Sequence, residues 1–110
     1  MIKLAEPLDL FLDRAGKDDR LLPTHMSLFM AILYHSDGGF SSKPFRITRR
    51  KLMIYSRIRS KATYHRCLRE LVDYGYVTYQ PSFDPIKAST MTIIYIGHFD
   101  SIHIKNVFLK

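Results

Sequence analysis

Ser60-Lys61-Ala62-Thr63-Tyr64-His65-Arg66-Cys67-Leu68-Arg69-Glu70-Leu71 reads as one capped helix with two chemically distinct faces. Ser60 is a natural N-cap, and Gly75 supplies a left-handed terminator, giving a helix over 60–74. With Tyr64 at zero and about 100° per residue, Cys67, Leu68, Leu71 and Val72 fall on the side of Tyr64. Ala62, His65, Arg66 and Arg69 fall opposite, with Thr63 on the flank. That second face has long hydrogen-bond donors, small residues near the helix start, and no carboxylate before Glu70. It suits nucleic acid, because Arg and Lys pair with phosphates and with N7 and O6 of guanine. The ordinary alternative is a solvated helix face, so the flanking sequence matters.

On the N-terminal side, Thr48 can cap a helix from Arg49 to Tyr55, with Leu52 turned inward and Tyr55 a candidate for the same side. Arg49, Arg50 and Lys51 in its first turn oppose the helix dipole, a cost that a bound anion would offset. Ser56 to Arg59 is a tight turn in which Ile58 plugs the space between the two helices. Phe45-Arg46-Ile47 is short enough for a single edge strand, and Gly39 to Pro44 is a loop. Pro23 opens an earlier helix with Leu28, Phe29, Ile32 and Leu33 as its stripe and Met26 and Met30 on the shoulders. Gly38-Gly39 stops it after Asp37. A short amphipathic helix over 7–15 uses Pro7 in its first turn and places Leu8, Phe11, Leu12 and Ala15 at helical spacing before Gly16. It either packs on the domain's own core or serves as a dimerisation arm.

On the C-terminal side, Tyr76 to Gln80 and Thr90 to Ile96 are rich in β-branched and aromatic residues, hence strands. Pro81 to Ser89 forms a nine-residue hairpin tip between them. In 97–110, Ile102 and Ile104 alternate like a strand, while Val107, Phe108 and Leu109 fit either strand or helix.

A chain of 110 residues fits a single domain with one core, and 46% apolar residues argue against disorder. Apolar runs are too short to span a membrane, and the N-terminus lacks the order of a secretory signal. One cysteine, Cys67, excludes an internal disulfide, agrees with a cytoplasmic location, and lies on the apolar face as a small buried hydrophobe. The balance of 17 basic to 10 acidic residues gives +7, and its distribution is uneven. From Gly38 to Arg69 there are ten Lys or Arg (Lys43, Arg46, Arg49, Arg50, Lys51, Arg57, Arg59, Lys61, Arg66, Arg69) and no Asp or Glu. Residues 1–20 carry four basic and five acidic residues, a net of −1. Charge gathered in one window suits a polyanion, and the apolar residues are too committed to a core for a membrane-surface role.

No catalytic pairing of carboxylates, glycine-rich phosphate loop or cofactor motif is recognisable, so the chain reads as a non-enzyme with no cofactor. His25, His35, His98 and His103 are scattered, and the spacing of His98, Asp100 and His103 matches no established metal site. Tyr64 and at least one of Tyr76 or Tyr79 read as core rather than as stacking platforms for bases.

The order helix, short strand, helix, tight turn, helix, hairpin resembles the winged helix-turn-helix domain over about residues 22–96. The match is carried by Ile47-Thr48, Leu52, Ile58, Thr63-Tyr64, Leu68, Leu71, Gly75-Tyr76-Val77 and the hairpin. S-K-A-T-Y-H-R-C-L-R-E-L followed by P-S-F-D-P-I-K-A-S further resembles small winged-helix proteins of bacterial mobile genetic elements. The turn departs from the commonest helix-turn-helix spacing by one residue, with the cap at Ser60. The resemblance implies an α+β fold with a three-helix core, an edge strand and a hairpin wing, extended by the N-terminal helix and by 97–110. It implies that helix 60–74 enters the major groove of double-stranded DNA. Lys61, Thr63, His65, Arg66 and Arg69 then become base-reading candidates, with Arg66 and Arg69 matched to guanine. Arg49, Arg50, Lys51, Arg57, Arg59 and Ser60 become phosphate contacts, and Ser82, Lys87 and Ser89 the wing contacts. The expected roles are a transcriptional regulator or an excision or mobilisation accessory factor. The other reading is a protein-interaction module of a replication or segregation complex, its basic face meeting an acidic partner. A homodimer stays open, because both termini are apolar enough for an isologous interface.

Overall fold

In the computed structural model, which describes residues 5–36, 44–82 and 88–94, local capping chemistry sets the helix boundaries. Helix α1 is Ala5–Ala15 and α2 is Pro23–His35. Pro23 opens α2, where its missing N–H has no helical partner to lose. Leu22 before it has no side-chain acceptor, so the cap comes from inside the helix: Leu22 N–H donates to Nδ1 of His25 at 2.8 Å. The helix stops at His35, short of the Asp37 end expected from Gly38-Gly39. There Ser36 turns to an extended conformation, and its N–H and hydroxyl occupy the carbonyls of Ile32 and Leu33.

Strand β1, Phe45–Ile47, feeds directly into α3, Arg49–Ser56. The Thr48 hydroxyl caps α3 by accepting Lys51 N–H at 3.2 Å. Helix α4 is Lys61–Asp73, and the Ser60 hydroxyl caps it by accepting Thr63 N–H at 3.2 Å. Gly75, with φ +84°, takes the left-handed conformation that a residue with a Cβ avoids, and Tyr76 N–H closes onto Leu71 C=O at 2.9 Å. Strands β2, Val77–Gln80, and β3, Ser89–Ile93, follow.

The strands form one antiparallel sheet in the order β1-β3-β2. Phe45 and Tyr79 both pair with Met91, and Val77 pairs with Ile93, so one face gathers the apolar residues of all three strands. The opposite face carries Arg46, Thr78, Gln80, Thr90 and Thr92, as the two-residue period of a strand requires. Helices α2 and α4 supply most of the remaining core through Leu28, Phe29, Ile32, Leu33, Tyr64, Cys67, Leu68 and Leu71, and Leu52 of α3 and Ile58 of the following turn add to it. Helix α1 closes it: Phe11 stacks on Phe29 with centroids 4.1 Å apart, and Tyr76 sits edge-on to both rings. Complete burial of Phe11 contributes about 1.5–3 kcal/mol. Phe11 and Ala15 thus settle that α1 packs on the chain's own core. The architecture is α+β, with four helices and a small three-stranded antiparallel sheet among the described residues.

Besides the end of α2, three expectations change. Leu12, assigned to the apolar stripe of α1, is 43% exposed, because Phe11 and Ala15 define a narrower buried line. Tyr55 is 55% exposed rather than inward. Leu52 and Ser56 take the buried side of α3, and Tyr55 instead stacks on the exposed ring of Tyr34 at 5.4 Å. Strand β3 ends at Ile93, where Val77 supplies its last partner on β2. Residues 1–4, 37–43, 83–87 and 95–110, with Lys43, Lys87, His98, Asp100, His103, Ile102 and Ile104, lie outside the described residues, and with them the expectations placed on 37–43, on most of the hairpin tip and on 97–110.

Candidate nucleic-acid interface

Helix α4 distributes its side chains as its 3.6-residue period dictates. Tyr64, Cys67, Leu68 and Leu71 are buried, while Lys61, Ala62, His65, Arg66 and Arg69 are exposed and Thr63 lies between. The buried side anchors the helix against α2 and β2, so the exposed side is held on a rigid base. Burial pushes the Tyr64 phenol well above its ordinary range, with Tyr79 adding to the shift and the nearby Arg49 guanidinium opposing it. Strand β2 packs directly against α4.

The turn between α3 and α4 adds a second group of cations. Arg57 caps α3 in the left-handed conformation, with φ +64° and ψ +21°. A residue with a Cβ gives up about 1–2 kcal/mol in that conformation relative to right-handed helix. Glycine would fit at lower cost, yet the chain places a guanidinium there. Ile58, next in line, is buried and holds the turn down, as its sequence position requires. Arg57, Arg59, Ser60 and Thr63 together rim a shallow hollow of about 450 Å³ whose far wall is Pro23, Thr24 and Ser27 of α2. A second hollow, of about 330 Å³, lies between His65, Leu68, Arg69 and Val72 of α4 and Tyr79 of β2.

Nine cations of this region are exposed: Arg46, Arg49, Arg50, Lys51, Arg57, Arg59, Lys61, Arg66 and Arg69. Among the described residues, none of the nine forms an ion pair with a carboxylate. Ser60 is committed to capping, so its hydroxyl meets a backbone N–H of its own helix. Ser82 and Ser89 are also tied to each other: Ser89 Oγ accepts from Tyr79 OH at 3.0 Å and from Ser82 N–H at 3.3 Å.

His25 has a role that its scattered place in the sequence did not reveal. Its side chain is 1% exposed, and beyond capping Leu22 with Nδ1 it reaches Oε1 of Glu70 on α4 through Nε2 at 2.8 Å. The local signal was its position two residues after Pro23, where a side-chain acceptor can reach back to the cap. The long-range half of the contact leaves no trace in the local sequence.

A second network ties the α1–α2 connection to the end of α4. Arg14 donates to Tyr74 C=O at 2.9 Å and lies 4.0 Å from the centre of the Tyr76 ring. Asp18 accepts from Arg20 Nε at 2.8 Å and from Tyr76 OH at 2.8 Å. The hydrogen bonds from Arg20, helped by that from Tyr76, hold the Asp18 carboxyl well below its usual range. Burial and then the bond to Asp18 push the Tyr76 phenol up to about 12. Comparison with protein-family models, curated proteins and solved structures finds no match to this chain.

Proposed function

We propose that this chain is a winged helix-turn-helix protein that binds double-stranded DNA, with α3 and α4 as the helix-turn-helix and β2–β3 as the wing. The order β1, α3, turn, α4, β2, β3 supports the reading, as does the sheet order β1-β3-β2. The observation that carries it is the set of nine exposed cations, none in an ion pair with a carboxylate among the described residues. A surface so undercompensated keeps its charge for a polyanion.

In this reading Arg66 and Arg69, three residues apart on one face of α4, read base edges, with Lys61, Thr63 and His65 beside them. Arg49, Arg50, Lys51, Arg57 and Arg59 hold the phosphates on either side. The strained conformation of Arg57 fits this role, since it fixes a cation at the mouth of the hollow in front of α4. Ser89 acts by shaping the wing, its hydroxyl accepting from Tyr79 and from Ser82 N–H, and Ser82 stands beside it as a wing contact. The biological role is that of a transcriptional regulator or a mobile-element accessory factor.

Selection of bound sequences from a random duplex library tests the reading, together with a salt titration of the selected site. With ~6 phosphate contacts, log affinity should fall against log salt with a slope of about −5. A flat response, or a pool without enrichment, rules the reading out. A second reading, a protein-interaction module, draws on the exposed stack of Tyr34 on Tyr55, beside which Ile54 is also exposed. That reading predicts retention of an acidic protein partner and no retained subset of genomic fragments.

A further inference from the structure

Glu70 is the carboxylate closest in sequence to the basic face of α4, and it stands one helical turn beyond Arg66. At that i, i+4 spacing, Arg and Glu side chains on an exposed helix can meet and pair. Here they do not: no Arg66–Glu70 ion pair occurs within 4.0 Å among the described residues. Glu70 is instead turned toward α2, where Oε1 lies 2.8 Å from Nε2 of the buried His25. Because Nδ1 of His25 accepts the Leu22 N–H, the ring proton facing Glu70 is on Nε2. The imidazole is thus fixed at both ends. Its ring cannot rotate away from Glu70 without uncapping α2.

We infer that His25 is a positioning residue for the basic face: by holding the Glu70 carboxylate against α2, it keeps Arg66 available to an external anion. The inference rests on the reading of that face as a polyanion surface. It assigns to a buried residue on another helix control over the charge of a side chain it does not touch. Two consequences follow from chemistry alone. Releasing Glu70 gives Arg66 an internal partner that a phosphate must displace, and it brings a negative charge toward the incoming phosphates. For an exposed pair on a helix, these effects together weaken binding by about threefold.

The substitutions that separate this from simple loss of packing follow from the geometry of the imidazole. In His25→Asn the side-chain oxygen stands where Nδ1 was and still caps Leu22, but the chain is too short to reach Glu70. In His25→Gln the amide nitrogen stands near Nε2 and still donates to Glu70. A fluorescein-labelled duplex of mixed sequence serves as the probe, and the Nε–Hε resonance of Arg66 in the DNA-free protein reports its pairing. His25→Asn should weaken duplex binding by about threefold and slow exchange of the Arg66 Hε proton with water. His25→Gln should leave both unchanged, and in a Glu70→Gln background His25→Asn should have no effect on either.

An equal loss of binding with Gln at position 70 overturns the inference, because the effect then runs through the fold and not through the carboxylate. So does an Arg66 resonance already protected in the unaltered protein, a measurement that needs no variant to fold. If the duplex is ignored by every form while the Arg66 resonance responds as expected, the polyanion reading falls and the hold of His25 on Glu70 stands.

Discussion

Two regions of this molecule use the same basic side chains in opposite ways. Around the α1–α2 connection, Arg14 is held by the Tyr74 carbonyl and the Tyr76 ring. There too Arg20 grips Asp18 while lying 4.1 Å from the centre of the Tyr74 ring, and Lys17 faces Asp13 at 3.4 Å. Along α3, the turn and α4, no cation meets a carboxylate among the described residues. What differs is what lies within reach. The first region has acids a few residues away and the rings of Tyr74 and Tyr76 from the turn between α4 and β2, so its cations act as fasteners. The second has no acid between Gly38 and Arg69, and Glu70, the first carboxylate that follows, meets His25 instead. A guanidinium is fastened or left open according to its neighbours, and counting basic residues does not separate the two.

Substitutions in the two regions should therefore fail in different assays. The largest effect is expected in the unpaired region: Arg66→Ala and Arg69→Ala should each lower discrimination between duplexes by about 1–3 kcal/mol in competition binding. Thermal unfolding should barely move, since exposed side chains without partners contribute within about 0.5 kcal/mol. Arg14→Ala should do the reverse, lowering stability by about 2 kcal/mol in urea unfolding through loss of the carbonyl bond and the ring contact. Its duplex binding should be unchanged; a binding loss there would erase the contrast between the regions. Arg50→Ala is smaller, weakening all duplexes about equally and reducing the salt slope by about 1.

The smallest effect is on pH dependence and belongs to the fastened region alone. Folding raises the Tyr76 phenol from 10.0 to about 12, so its contribution to stability is complete below pH 10 and is lost as pH rises toward 12. Asp18 acts in the opposite sense. Its carboxyl is lowered by folding, so its contribution is present above the ordinary carboxylate value of 3.8 and is lost as the solution becomes more acidic. Melting temperatures of Tyr76→Phe should show a flatter alkaline limb than the parent, and those of Asp18→Asn a flatter acid limb.

Much of the helical framework is legible because its determinants are local. Thr48 and Ser60 cap the helices they precede, Ile58 fills the turn, and Gly75 takes the left-handed conformation. The division of α4 into buried and exposed residues follows from a 3.6-residue period read over a few turns. Tyr55 shows where that reading stops. Its position on α3 is compatible with either side, and only the placement of Tyr34 on α2 decides that it stacks outside. Ser89, similarly, is a free hydroxyl in the sequence and an acceptor inside the hairpin once Tyr79 lies across from it.

By itself the sequence determined the helices, the pairing of short strands with a hairpin, and the gathering of positive charge in one window, because caps, periodicity and composition act over a few residues. Tertiary structure alone decided which cations are fastened and which remain open to a ligand. The two partners of such contacts, Arg14 with Tyr74 or His25 with Glu70, stand 60 and 45 residues apart. Their meeting depends on how α1 and α2 pack against α4, and electrostatic pairing is short-ranged enough that a few ångströms of packing settle it.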